Sequence, residues 1–161
     1  LSTSMMGELP KDRSFILFDY STKDYYDLTG DDSFQFYHHG EAIPYKFKII
    51  EGPPEFITNE LSKIMQSIPD QFQLHHNYPN PFNPITNISY ELSNPSRVTI
   101  TIYDLKGREI KTIVNEWKQP GYYSAVWNST DNRNNAVSSG IYFYRMKTNT
   151  FHKTLKMLLL K

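Results

Sequence analysis

The residues able to do chemistry are few, and their spacing suits little of it. Of five histidines, four stand in the adjacent pairs His38-His39 and His75-His76. Neighbours on a strand point to opposite faces, so neither pair readily chelates one metal ion. Asp24, Asp27, Asp31 and Asp32 crowd one turn-rich stretch. With backbone carbonyls they could hold calcium, but the spacing is not that of an EF-hand loop, and solvated acidic turns are the simpler reading. The oxygen-rich run STDNRNN at 129–135 has the same two readings. Serines are plentiful, yet there is no G-x-S-x-G elbow, and the seven glycines form no phosphate-cradling loop. Nothing suggests a cleft around the paired carboxylates of Asp31 and Asp32. Tyr122, Tyr123, Tyr142 and Tyr144 could form a platform for glycan stacking, or cover sheet edges and pack a second face. The pattern predicts no enzyme, no resident metal and no cofactor.

Composition narrows the classes further. The 161-residue chain carries 17 basic and 17 acidic residues, so no global attraction to nucleic acid or anionic membrane is expected. The absence of cysteine excludes disulfides, thiolate metal sites and a cysteine nucleophile. Twelve Tyr, ten Phe and two Trp favour strands. The opening LSTSMMGELPKDRS lacks the basic region and apolar run of a signal peptide. The apolar run MLLLK is too short to span a bilayer, so no transmembrane segment is expected. An exported protein would carry its address elsewhere.

The elements are mostly short strands. In 1–52, SFILFDY (14–20), SFQFYHH (33–39) and YKFKII (45–50) read as strands separated by turns. In the last of these, Tyr45, Phe47 and Ile49 are expected to face opposite to Lys46 and Lys48. Three strands rarely make a self-sufficient core. This region therefore reads as the C-terminal part of a β-sandwich module, completed by residues 1–12, by another molecule or by sequence not present. Residues 53–76 read as a linker with one short helix of about two turns, in which Phe56, Leu61, Ile64 and Met65 approach helical spacing before Ser67-Ile68-Pro69. In 77–161, ITNISYEL (85–92) and RVTITIYD (97–104) alternate cleanly, with Ile88, Tyr90, Leu92, Val98, Ile100 and Ile102 facing inward. Further strands are expected at 108–115, 122–128, 140–148 and 151–161. The fold expected is all-β, two small antiparallel sandwich regions joined by a Pro-rich linker with a short helix.

Between these regions stands NYPNPFNP: Asn77, Tyr78, Pro79, Asn80, Pro81, Phe82, Asn83 and Pro84. Its prolines fix φ and bias Tyr78, Asn80 and Asn83 toward extended conformations, a pre-set spacer rather than a floppy one. Tyr78 and Phe82 are expected to plug into the sandwich, with the asparagines capping turns.

In order, NYPNPFNP, TNISYEL, VTITIYDLKGREI, GYYSAVWN, SSGIYFYRM and KTLKMLLLK resemble the C-terminal sorting domain of type IX secretion substrates of Bacteroidota and related bacteria. The resemblance covers about 85 residues. It implies an immunoglobulin-like sandwich similar to one in flagellar hook-capping proteins. It also implies export to the extracellular space or cell surface, with the outer-membrane type IX machinery as partner. The signature positions it carries over are Tyr103, Asp104, Gly107, Arg108, Trp127, Gly140, Tyr142, Tyr144, Lys156, Leu158, Leu160 and Lys161. Asn134 and Asn135 stand where the family often has glycine, which would reshape that turn. More faintly, 14–52 resembles the last strands of sandwich modules that often precede such domains.

Three functions follow as expectations. The last domain directs type IX export; or the chain is a structural subunit that forms a homo-oligomer or filament by strand complementation; or it is an accessory glycan-binding module. Trp127 and Ile100 are expected in the core. KTLKMLLLK, apolar on both faces, is expected either between layers or ready for a partner.

Overall fold

A computed structural model of the chain describes residues 13–30 and 46–161. The strand expected at 33–39, any strand in 1–12, and Asp31, Asp32, His38, His39 and Tyr45 lie outside the described residues. The chain divides into two compact units, residues 1–68 and 69–161.

In the first unit, β1 (Ser14–Asp19) is flanked by β2 (Tyr25–Asp27) and β3 (Phe47–Gly52), all antiparallel. Helix α1 (Pro54–Gln66) runs 13 residues, well beyond the two turns expected. Pro54 suits its first turn, where an amide N–H would be unsatisfied anyway, and Glu55 complements the positive end of the helix dipole. Ser67 closes it, its hydroxyl donating to the Ile64 carbonyl at 2.7 Å.

The inward stripe of α1 is Ile57, Leu61 and Ile64, continued by Ile68 just past the helix, and it packs with Ile16, Phe18 and Ile50 of the sheet. Spacings of four, three and four residues place these side chains on one face. Phe56 and Met65 point out, contrary to expectation. In β3, Phe47 and Ile49 face opposite to Lys48 as expected, and the buried residue is Ile50, on the Lys48 side, while Ile49 is exposed. Lys48 shares the helix-facing side and reaches Glu60 of α1 at 3.4 Å. Phe47 and Ile49 belong to the better local alternation, but the helix covers the other face. Segment 53–66 is thus a packed layer of the first unit.

The second unit is an antiparallel sandwich. One sheet is ordered β10-β9-β6-β7, from β6 (Ser96–Tyr103), β7 (Glu109–Lys118), β9 (Gly140–Lys147) and β10 (His152–Leu159). The other is ordered β4-β5-β8, from β4 (Gln73–Leu74), β5 (Thr86–Leu92) and β8 (Gly121–Trp127). The sandwich starts at β4, in the stretch read above as linker; two residues are too few to show alternation, but Leu74 enters the core.

Between the sheets lie Ile88, Tyr90 and Leu92 from β5, Val98, Ile100 and Ile102 from β6, and Tyr142, Tyr144 and Met146 from β9. Met157 and Leu159 of β10 and Trp127 of β8 complete the centre. Trp127 is fully buried, in edge contact with Tyr142 at 5.1 Å and with Phe82 at 5.7 Å between ring centroids. Its indole N–H donates to the Thr130 carbonyl at 2.9 Å, so the one polar atom of the ring is satisfied.

Candidate functional site

NYPNPFNP is woven into the sandwich at both ends of its length. Upstream, the chain runs antiparallel to β5: the His75 N–H donates to the Ser89 carbonyl at 3.0 Å, and Tyr78 and Asn87 exchange two main-chain bonds of 2.9 Å. Between these points the Tyr144 hydroxyl accepts the Asn77 N–H at 2.9 Å and donates to the His75 carbonyl at 2.8 Å. The buried Asn77 amide donates to the Pro79 carbonyl and to Thr86 Oγ1, which itself donates to Pro79. Asn77 therefore holds the turn shut from inside, as an asparagine in a turn can. The three X-Pro bonds of the phrase are cis.

Downstream, the phrase reaches β10. The Leu158 N–H donates to Asn80 Oδ1 at 3.0 Å. The Phe82 N–H donates to the Leu158 carbonyl at 3.0 Å, and the Leu160 N–H to the Phe82 carbonyl at 2.9 Å. Phe82 and Leu159 form a parallel bridge. Phe82 is 2% exposed and anchors this contact in the core, whereas Tyr78 is 80% exposed. The expectation that both rings plug the sandwich holds for Phe82 and fails for Tyr78, whose backbone pairs with β5 while its ring points to solvent. Pro84 closes the segment by accepting the Ser129 hydroxyl.

The opposite edge of the same sheet is covered in a similar way. The Asn132 N–H donates to the Ile110 carbonyl at 3.0 Å, and the Thr112 N–H donates to Asn132 Oδ1 at 3.3 Å. Each outer strand, β10 and β7, thus has an asparagine-bearing loop on its outward main-chain groups. These loops cover one end of each edge of the four-stranded sheet against pairing with another chain; the strand complementation expected for the first region concerns a different sheet.

The signature positions divide by location. Trp127, Tyr142 and Tyr144 are core, and Gly140 opens β9 with φ +150°. Leu158 is half-buried on the outer side of β10, Leu160 and Lys156 are exposed, and the Lys161 ammonium donates to the Val137 carbonyl. Since Tyr142 and Tyr144 are buried, the four-tyrosine glycan platform does not form.

Asp104, Gly107 and Arg108 make one turn. Asp104 Oδ1 accepts the N–H groups of Lys106 and Arg108 at 2.9 Å each, and Arg108 Nε donates to Asp104 Oδ2 at 2.7 Å. Gly107 takes φ +76°, the left-handed conformation open to glycine. The Asp131 turn repeats this geometry. Its Oδ1 accepts the N–H groups of Arg133 and Asn135 at 2.8 Å each, Asn135 Nδ2 donates to Oδ2 at 3.2 Å, and Asn134 sits at φ +63°. Asparagine tolerates that region, so the turn keeps its shape without glycine. Backbone N–H bonds, from Arg108 and from Asn135, are the main cause holding both carboxyls below the ordinary aspartate value. The oxygen-rich loop at 129–135 uses its carboxylate to fix its own turn. Sequence reasoning missed the role of Asn132; its position in a polar loop carried no signal for it.

Charge is divided between the units. Residues 1–68 hold 6 Lys and Arg against 11 Asp and Glu, a net −5; residues 69–161 hold 11 against 6, a net +5. Overall neutrality conceals two oppositely charged units.

Residues 83–151 match the FlgD Ig-like domain family, less than half of the chain. The match spans β5 to the end of β9 and agrees with the immunoglobulin-like sandwich expected. No curated protein matches the chain significantly. Among solved structures, PorZ, described as an essential surface component of the type IX secretion system of Porphyromonas gingivalis, matches at 20% identity and a TM-score of 0.39. That alignment covers 53% of this chain and 11% of PorZ. Dimeric latent PorU of the same organism matches at 14% identity and a TM-score of 0.46, covering 94% of this chain and 12% of PorU. The chain spans about an eighth or less of the length of either protein. No helix among the described residues is long and apolar enough to cross a membrane.

Proposed function

We propose that the sandwich of residues 69–161 is a sorting domain for type IX export and surface attachment, carried by a non-catalytic region of a secreted or cell-surface protein. Its partner is the outer-membrane secretion machinery. The motifs that resemble sorting domains fall within one sandwich. The observation carrying the reading is that the first and last of them meet: Asn80 and Phe82 of NYPNPFNP bind the main chain of Leu158 and Leu160. A machine that grips this edge would meet both motifs as one surface, and would meet it only on a folded domain.

The test is a reporter fused ahead of the full chain in a type IX-competent bacterium. The intact fusion is expected at the surface or in the medium, and a version lacking 152–161 in the periplasm. Tyr78→Ala separates recognition from folding, because the exposed ring contributes little to the core. Lost export with an unchanged melting temperature would mean that the phrase itself is read. Retention of a folded, intact fusion in the periplasm would refute the sorting role.

A further inference from the structure

The outer face of the four-stranded sheet gathers cations that form no ion pair among the described residues. Cross-strand register aligns Thr99, Lys147 and His152 in one row and Thr101, Arg145 and Thr154 in the next. Tyr103, Phe143 and Lys156 form a third. Their neighbours along each strand point into the core, so these side chains share the outer face; Thr101 is covered there, its hydroxyl bonded to that of Thr112 at 3.1 Å.

Arg145 is the best-placed member. Its Nε donates to Thr154 Oγ1 at 3.1 Å, and its guanidinium lies 5.2 Å from the centre of the Tyr103 ring. Both contacts orient the side chain, and neither occupies its terminal nitrogens. A guanidinium held near an aromatic ring keeps a fork of donors ready for an oxyanion. Among the described residues no carboxylate pairs with Arg145, Lys147 or Lys156. The nearby acids are engaged elsewhere: Asp104 with Arg108, and Glu109 with Thr112 and Asn132.

Two shallow hollows lie on either side of the Arg145–Thr154 pair. One, about 380 Å³, is bordered by Lys147, Phe151 and His152; the other, about 220 Å³, by Tyr103, Phe143 and Asp104, whose carboxylate is paired with Arg108. Cations, the Thr154 hydroxyl and aromatic rings thus share one face, in the unit that carries a net +5.

We propose that this face binds an anionic polysaccharide. Arg145 and Lys147 would take acidic groups, Thr154 would bond a ring hydroxyl, and the Tyr103–Phe143 side would stack on a sugar. The hydroxyl and aromatic surface between the cations favour a glycan over an acidic peptide, which would use the charges alone. The site is distinct from the four tyrosines excluded above, and it does not rest on the export reading, because it is tested in solution.

The test is affinity electrophoresis or calorimetry of the full chain against heparin and polygalacturonate, with neutral dextran and poly-glutamate as comparisons. Saturable binding to one or both anionic glycans is expected, with none to dextran. The double variant Arg145→Gln, Lys147→Gln should weaken it about tenfold or more. Lys106→Gln with Arg133→Gln removes the same charge from exposed turns and should change it less than twofold. Equal losses from the two pairs would reduce the effect to net charge and overturn the site. Poly-glutamate binding as tightly as the glycans, through the same residues, would replace the glycan with an acidic protein. Absence of glycan binding at low salt would also end the proposal.

Discussion

Asn80 and Leu158 stand 78 positions apart in the chain and are joined by a 3.0 Å hydrogen bond from the Leu158 main-chain N–H to Asn80 Oδ1. The side chain takes the place of a strand neighbour at the edge of β10. Two residues on, Phe82 continues the pairing with its own backbone. A phrase that cannot itself form a regular strand, because of its prolines, therefore closes a sheet edge.

Removing that acceptor has a local effect. Asn80→Ala should cost about 0.5–1.5 kcal/mol, the usual net worth of one hydrogen bond. Amide exchange at Leu158 should accelerate more than at Met157, whose backbone pairs with β9. Equal protection of Leu158 in both proteins would contradict the clamp.

The two aromatics of the phrase should separate in stability. Phe82→Ala opens a cavity beside Trp127 and should cost about 3–5 kcal/mol. Tyr78→Ala, at an exposed site, should stay within about 0.5 kcal/mol. Denaturant midpoints of the two variants decide the matter, and similar losses would mean that the ring of Tyr78 is packed.

Trp127→Ala should likewise cost about 3–5 kcal/mol, by removing the ring between Phe82 and Tyr142. Trp127→Phe should lose less, since it keeps most of the apolar volume while giving up the bond to Thr130. Reversible chemical unfolding gives both values.

The twin aspartate turns set an acid limit. Both carboxyls have folded values below the unfolded one near 3.8, so their contribution is full above that value. It is lost as pH falls through the lower folded values. Asp104→Asn combined with Asp131→Asn should lower stability at neutral pH and flatten its decline below about pH 4. A parent-like acid profile in the double variant would show that the turns are not responsible. Gly107→Ala, forced to φ +76°, should cost about 1 kcal/mol or more, whereas Asn134→Gly should be tolerated.

Alkali should act through buried phenols. Burial pushes Tyr90 and Tyr144 up to about 12, against an ordinary value of 10.0. The unfolded chain loses these protons first, so the stabilisation is complete below pH 10 and is lost as pH rises toward 12. Tyrosinate absorbance should lag for these two residues until the protein unfolds. Tyr144→Phe should also strand the Asn77 N–H and the His75 carbonyl, at a cost of about 1–3 kcal/mol.

Much of this fold was legible where one face of a strand is buried. The alternation of Ile88, Tyr90 and Leu92, and of Val98, Ile100 and Ile102, is local, and successive side chains must point to opposite faces. The burial of Trp127 was equally local in origin. What tertiary structure alone decided was which face each ambiguous element buries and which distant segments meet. β3 carried isoleucines on both faces, and α1 chose between two overlapping stripes, so a packing partner had to select Ile50 over Ile49 and Ile57 over Phe56. The Asn80–Leu158 contact depends on the order of strands across a sheet, which no periodicity encodes. The separation of charge was present in the sequence throughout, but it acquired meaning only once packing divided the chain at residue 68. Local sequence dictates side-chain direction; long-range packing determines what that direction faces.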